Sequence, residues 1–380
     1  MSETNFSLFI DNFPVNREMI WLNNCGTTPS STFVITSIQE FLDGYSRNGI
    51  FTNVQQFSAV KRSIKDFLVS LLGGKSSEYS LIHNTSEGMN ILSFGIELPK
   101  NSTILLLEHE YPSNYYPFQH LTREGHKIKF ISPGKSPSEF MENFYHAIDD
   151  STKLVSFSAV HWCTGMPLPL LEIGEVCHNK DIFFAVDGAQ GVGHIPIDVK
   201  KMKIDFMASS AWKWLLGPLG LGILYVSEEK LNILKVPFKG TESVSDSENY
   251  LPYRDTYKEG SDRFEVSTPS FLDWVYLKSS LELLKSIGYP EIMERIYSLT
   301  EQLGLYLGEL GYSLNTDHFN EKTGILVARK ENIDSTLAVK FLRENGIISA
   351  SRLGGIRFSP HIYNTNSQID KVKYILSKYN

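Results

Sequence analysis

The chain has 380 residues, 42% of them hydrophobic, so it can bury a core without metal or disulfide staples and fill two ordinary domains, or one large domain with an appendage. Its 36 basic and 43 acidic side chains leave a net charge of -7, with no run of Lys and Arg to track a phosphate backbone, which argues against a nucleic-acid partner. Cys25, Cys163 and Cys177 are widely spaced and form no CxxC pair, Met1–Asp11 lacks the basic and apolar parts of a signal peptide, and no stretch is apolar for long enough to cross a bilayer; reduced thiols, a cytoplasmic protein and no membrane partner are expected.

In chain order, short apolar runs alternate with amphipathic stretches from about residue 60 to residue 226, the rhythm of βα units. Predicted strands cover Tyr79–His83, Ile104–Leu107, Lys127–Ile131, Leu154–Ser158, Ile182–Val186, Phe206–Ala208 and Gly222–Val226. Several are apolar on both faces, which predicts an α/β fold: a mostly parallel seven-stranded sheet covered by helices such as Glu87–Phe94 and Leu171–His178. Phe238–Gly260 turns polar and reads as a linker. Beyond it, long helices at Phe271–Ile287 and Ile292–Leu310 precede a strand at Gly324–Arg329, a helix near Thr336–Asn345 and a strand at Gly355–Phe358, the pattern of a smaller α+β domain. The expected division is a large domain over 16–240 and a small one over 241–380, with segment 1–15 packing on the latter.

In an open α/β sheet a ligand sits at the carboxyl ends of the strands. Asn84-Thr85-Ser86-Glu87-Gly88 follows the first strand, with hydroxyls at a helix N-terminus where an anion such as phosphate is favoured; an ordinary N-cap fits this segment at least as well. Asp187 ends a strand almost devoid of polar atoms, where a carboxylate needs a cation such as a pyridinium nitrogen; an Asp-Gly turn fits equally. Lys213 lies between Trp212 and Trp214, and poor hydration there lowers an ammonium's pKa toward the neutral amine that attacks an aldehyde, although a lone lysine more commonly snorkels to solvent. Arg357, inside an apolar strand, requires a carboxylate, either from a substrate or from a structural salt bridge. Each signal is weak alone. In this order they describe one site for a phosphate, a ring nitrogen, an aldehyde and an amino-acid carboxylate.

At these residues the sequence resembles the class V aminotransferase and cysteine desulfurase family of fold-type I pyridoxal-phosphate enzymes. The resemblance runs from Trp21-Leu22-Asn23-Asn24-Cys25 to Ile356-Arg357-Phe358-Ser359-Pro360, and its most specific part is Val186-Asp187-Gly188-Ala189-Gln190 followed by Ser210-Ala211-Trp212-Lys213-Trp214. It implies pyridoxal 5'-phosphate as cofactor, carried by Lys213 as a Schiff base. Asp187 would pair with the pyridine nitrogen and Gln190 with the ring oxygen, Tyr111 would stack on the ring, and Thr85, Ser86, Ser210 and the Trp212 indole would hold the phosphate. Arg357 would bind the substrate carboxylate, with Asn24 nearby. The family implies a homodimer, in which Thr241 would reach the partner's phosphate. No metal is implied: Glu108-His109-Glu110 and Cys177-His178 lack ligand spacing, and Gly73-Gly74-Lys75-Ser76 is only the tail of a P-loop.

The departures steer the expected function. Tyr111 stands where desulfurases stack a histidine, Trp212 replaces the histidine before the lysine, and Trp162 replaces a common asparagine. Leu342–Leu353 contains no cysteine, so the thiolate a desulfurase needs on that loop is missing. The reading is therefore an enzyme acting at the α-carbon of a small amino-acid substrate, with transamination ranked first because Lys213 alone can carry the proton shift. A C–S lyase of the cysteine or cystine type is the alternative. An epimerase and a non-catalytic cofactor-binding module rank behind both.

Overall fold

A computed structural model gives the structure over residues 6–52, 54–315 and 322–379. Seven strands form the central sheet: β2 (Tyr79–Ile82), β3 (Thr103–Leu107), β4 (Lys127–Ile131), β5 (Thr152–Ser158), β6 (Phe183–Asp187), β7 (Phe206–Ser210) and β8 (Gly222–Val226), after a short β1 (Ile20–Trp21) that lies elsewhere. Their order is β2-β8-β7-β6-β5-β3-β4. β8 alone runs opposite to the other six strands, so the expected mostly parallel sheet is present.

Period-two alternation in these strands feeds two apolar layers. Leu105, Val155, Phe157, Phe184, Val186 and Met207 face one layer, which is closed by Ile64 and Leu68 of a helix at Val54–Leu72 and Ile173 of one at Leu170–Asn179. Ile104, Leu106, Leu154, Ala185, Phe206 and Ala208 face the other, packed on Met89, Ile91 and Leu92. These last belong to the helix Thr85–Gly95. A Cβ on its Gly88 would stand 2.4 Å from the Ala208 Cβ, so glycine is what lets the helix lie close on β7.

The C-terminal part builds a second sheet from β9 (Ser313–Leu314), β10 (Leu326–Arg329), β12 (Ala350–Arg352) and β13 (Gly355–Phe358), in the order β12-β13-β10-β9. Strand β11 (Ile347–Ile348) leaves that sheet and pairs in parallel with β1. Contacts thus cross residue 240 in both directions, since the helix Phe271–Ile287 also packs on Val54–Leu72 and on Thr32–Asn48. Near the N-terminus, Phe13 lies 4.9 Å from the Tyr363 ring and Asn16 Nδ2 donates to the Tyr363 carbonyl at 2.7 Å. The first five residues of the expected 1–15 segment lie outside the described residues. The polar stretch 238–260 carries turns and a single bridge between Val244 and Tyr257.

Candidate active site

The carboxyl ends of β2, β5, β6 and β7 open into a cavity of about 450 Å3. Lys213, Asp187, Gln190, Tyr111, Thr85, Ser86, Ser210, Trp212 and Arg357 all line it. Nine candidates spread over 273 positions of sequence are brought to one place by the strand ends, as the crossover topology requires. A larger groove of about 810 Å3, between Val54–Leu72 and Phe271–Ile287, contains none of them.

Two candidates stand outside the cavity wall. Asn24 is fully buried one residue behind it, its Oδ1 accepting from the Tyr363 hydroxyl at 3.0 Å. Thr241 is exposed on the chain surface.

Lys213 is 7% exposed, and its Nζ lies 5.5 Å from the centroid of the Tyr111 ring. Burial holds its pKa below the ordinary lysine value, against the pull of the Asp187 carboxylate. Asp187 is 3% exposed. It accepts from the Ser113 hydroxyl at 3.1 Å and the Ala189 N–H at 2.9 Å, and burial pushes its pKa up. Both partners are thus shifted toward neutrality, because neither charge is desolvated at a profit without a close counterion. A cation seated against Asp187 would restore its charge, and a pyridinium nitrogen is such a group.

At the other end of the cavity Thr85 Oγ1 and Ser210 Oγ lie 2.9 Å apart. They face the N-terminus of the helix Thr85–Gly95, whose cap Asn84 accepts from the Glu87 N–H at 2.9 Å. Hydroxyls and free N–H groups at a helix start suit a phosphate. Tyr111, 45% exposed, stands edge-on to Trp162 with centroids 5.4 Å apart. Its backbone N–H is anchored by Glu110, which also accepts from the Ser158 N–H at 2.7 Å and hydroxyl at 2.6 Å. Burial, with Asp187 adding repulsion, raises the Glu110 pKa to about 7.

Arg357, 2% exposed on β13, donates from Nη1 to the Trp162 carbonyl at 3.0 Å, and its Nε has no hydrogen-bond partner among the described residues. Among the described residues no carboxylate forms a salt bridge with it, so the structural ion pair considered from sequence is not what it makes. The sequence reading passed over Arg352, Cys25, Ser113 and Ser158, which also line the cavity. Arg352 lies on the hairpin strand beside β13, where Arg352 pairs with Gly355. Its guanidinium sits 5.8 Å from the Trp162 ring. An arginine five positions before Arg357, across a Gly354-Gly355 turn, was the signal.

The family model described as aminotransferase class-V matches residues 20–372. The chain belongs to this family. Its members depend on pyridoxal 5'-phosphate, and the donors just described fit that group: a phosphate-sized cradle, a buried carboxylate with no salt bridge among the described residues, and a desolvated lysine. Among curated relatives, the chain is 26% identical to a probable cysteine desulfurase of Methanothermobacter thermautotrophicus, over 94% of this chain and 93% of that one. It is 25% identical to the uncharacterized aminotransferase YcbU of Bacillus subtilis, over 94% and 93%. Among solved structures, the complex of the cystine C–S lyase C-DES with its product cysteine persulfide superposes with a TM-score of 0.89 at 22% identity, covering 97% of this chain and all of that one. A C-DES variant with glycine covalently linked to its PLP cofactor gives 0.91 at 22%, over 97% and 99%. The apo cysteine desulfurase of Thermococcus onnurineus NA1 gives 0.86 at 23%, over 97% and 96%. These likenesses establish the fold. No helix among the described residues is long and apolar enough to cross a membrane.

Proposed function

We propose that this class-V enzyme is a C–S lyase acting by β-elimination on a cystine-type amino acid. The observation that carries the reading is the pair of guanidinium groups in one cavity, Arg357 and Arg352, neither of them in a salt bridge among the described residues. One α-carboxylate satisfies one arginine. A second, left unneutralised, calls for a second anionic group on the substrate, and cystine carries two carboxylates. Names among the relatives support the same direction, since cysteine desulfurases and a cystine C–S lyase dominate them. Transamination, ranked first from sequence, has the weaker support.

In this reading Thr85, Ser86, Ser210 and Trp212 hold the phosphate, Asp187 pairs with the ring nitrogen, Gln190 serves the ring oxygen and Tyr111 stacks on the ring. When bound, the cofactor supplies an electron sink for charge developing at the substrate α-carbon. Lys213 holds and moves the α-proton, Arg357 binds the α-carboxylate and Arg352 the distal one. The chain acts as a homodimer, with Thr241 turned to the partner's site. Holoenzyme incubated with cystine is expected to yield pyruvate and ammonia with matching sulfane sulfur. Keto acid with pyridoxamine phosphate and no ammonia would establish transamination instead.

A further inference from the structure

We propose that Trp162 is the positioning residue that makes this cavity select dicarboxylic substrates, its indole holding Arg352 at the place of the distal carboxylate. The inference rests on the reading of Arg352 as the distal anchor and adds what keeps that anchor in place. It does not depend on which bond the enzyme breaks.

Trp162 is held on a fixed platform. It lies between β5 and the helix Leu170–Asn179, on a turn closed by the Gly165 N–H donating to the His161 carbonyl at 2.8 Å. A Cβ on Gly165, whose φ is +79°, would stand 2.3 Å from the Ile325 carbonyl, so the turn lies directly against the residue before β10. Nε1, the one donor of the indole, donates to the His109 carbonyl at 2.7 Å, and the Cys163 Sγ meets the same oxygen at 3.6 Å. His109 takes a φ of 59°, in the left-handed region that residues with a side chain seldom enter and that surrounding bonds must maintain.

Three groups of the cavity meet this platform. The Trp162 carbonyl accepts from Arg357 Nη1 at 3.0 Å, its ring stands edge-on to Tyr111, and the guanidinium carbon of Arg352 lies over the ring, 5.8 Å from its centroid. A cation over an aromatic face is drawn to the ring quadrupole, most strongly to that of an indole. Apart from this ring, Arg352 has one polar contact among the described residues, from Nη1 to the carbonyl of its neighbour Ser351 at 2.6 Å. It ends β12 beside the exposed turn Leu353-Gly354, where a long cationic side chain would otherwise extend into solvent. Burial, with Arg357 adding repulsion, also lowers its pKa. The ring opposes that push and occupies none of the guanidinium N–H donors, which stay available to a carboxylate. One residue thus sets the spacing of two cations, Arg357 through its carbonyl and Arg352 through its ring. A substrate's two carboxylates must match that spacing.

The test is calorimetric binding to holoenzyme of dithiodipropionate, which is cystine without its amino groups and so cannot condense with the cofactor, against its monomethyl ester. Wild type is expected to bind the diacid about 10–100-fold more tightly. In Trp162→Leu this preference should fall about 5–30-fold with the affinity for the monoester unchanged. Trp162→Phe keeps a ring without the indole N–H and should retain the preference within about 3-fold. Equal losses for both ligands in Trp162→Leu, or a preference left intact, would overturn the inference, as would a loss in Trp162→Phe as large as in Trp162→Leu. Should the leucine variant not fold, Trp162→Met, which fills more of the space without a ring face, is read in the same way. A wild type with no preference would overturn the second-carboxylate reading and this inference with it. No pyruvate from cystine, with the preference present in wild type and lost in Trp162→Leu, would overturn the elimination and support the role of Trp162.

Discussion

The indole Nε1 of Trp214 donates to Oε1 of Gln190 at 3.0 Å, inside the wall of the cavity. The other end of the same amide donates to the Cys25 carbonyl. Gln190 is thereby tied to the residue after Lys213 and to the segment after β1, with one N–H left to meet a ligand. Trp214→Phe would leave Oε1 buried without its donor, at a cost of about 1–3 kcal/mol. Denaturant unfolding of the holoenzyme should show this loss. An unchanged midpoint would mean that the bond contributes nothing.

Behind this pair, His194 stacks on Trp214 with centroids 3.9 Å apart. Its Nδ1 faces the Gln190 carbonyl at 2.7 Å, and its Nε2 accepts from the Gly324 N–H, which defines the neutral tautomer with the proton on Nδ1. Burial lowers its pKa from 6.5 to about 4. A depressed base contributes stability above its unfolded pKa and loses it as pH falls through the folded one. The stability difference between wild type and His194→Phe, expected at about 1–3 kcal/mol at pH 8, should shrink as pH falls from about 6.5 to 4 at up to about 1.4 kcal/mol per unit. A difference that stays flat or grows on acidification would show that His194 is not held neutral.

Much of this was readable in the sequence, for physical reasons. Strands buried on both faces, such as Thr103–Leu107 and Phe183–Asp187, leave a continuous apolar run that marks both their position and the site at their ends. The helix Thr32–Asn48 escaped notice because its apolar stripe is narrow: Val34 is buried, while Ile38 and Phe41, which continue the stripe toward the helix Phe271–Ile287, are only half-buried and the other faces meet solvent. Short strands such as Ile347–Ile348 have too few residues for any period to show. Arg352 and Cys25 were passed over for another reason: each becomes a site residue only through a partner distant in sequence, Trp162 for one and Gln190 for the other.

The two arginines should separate by substrate. Arg357→Ala is expected to weaken every amino acid, whereas Arg352→Ala should raise KM for cystine by about 10–100-fold, the equivalent of about 1.4–2.8 kcal/mol, and leave a monocarboxylate such as β-chloroalanine nearly unaffected. Equal losses for both substrates would remove the case for a second carboxylate site.

The hydroxyl pair tests the phosphate cradle. Ser210→Ala removes one donor and leaves Thr85 without its 2.9 Å partner. With hydrogen bonds to charged groups contributing about 1.5–3 kcal/mol, cofactor affinity should fall about 10–100-fold. Cofactor titration by fluorescence reads this directly, and an unchanged affinity would place the phosphate elsewhere.

The most direct test of the account is to reduce cofactor-loaded protein with borohydride and map the peptide that keeps the pyridoxyl group. The account predicts loss of a visible absorption band on reduction, with the label on Lys213 alone and neither band nor label in Lys213→Ala. A label on any other lysine, or a band that persists in Lys213→Ala, would contradict it.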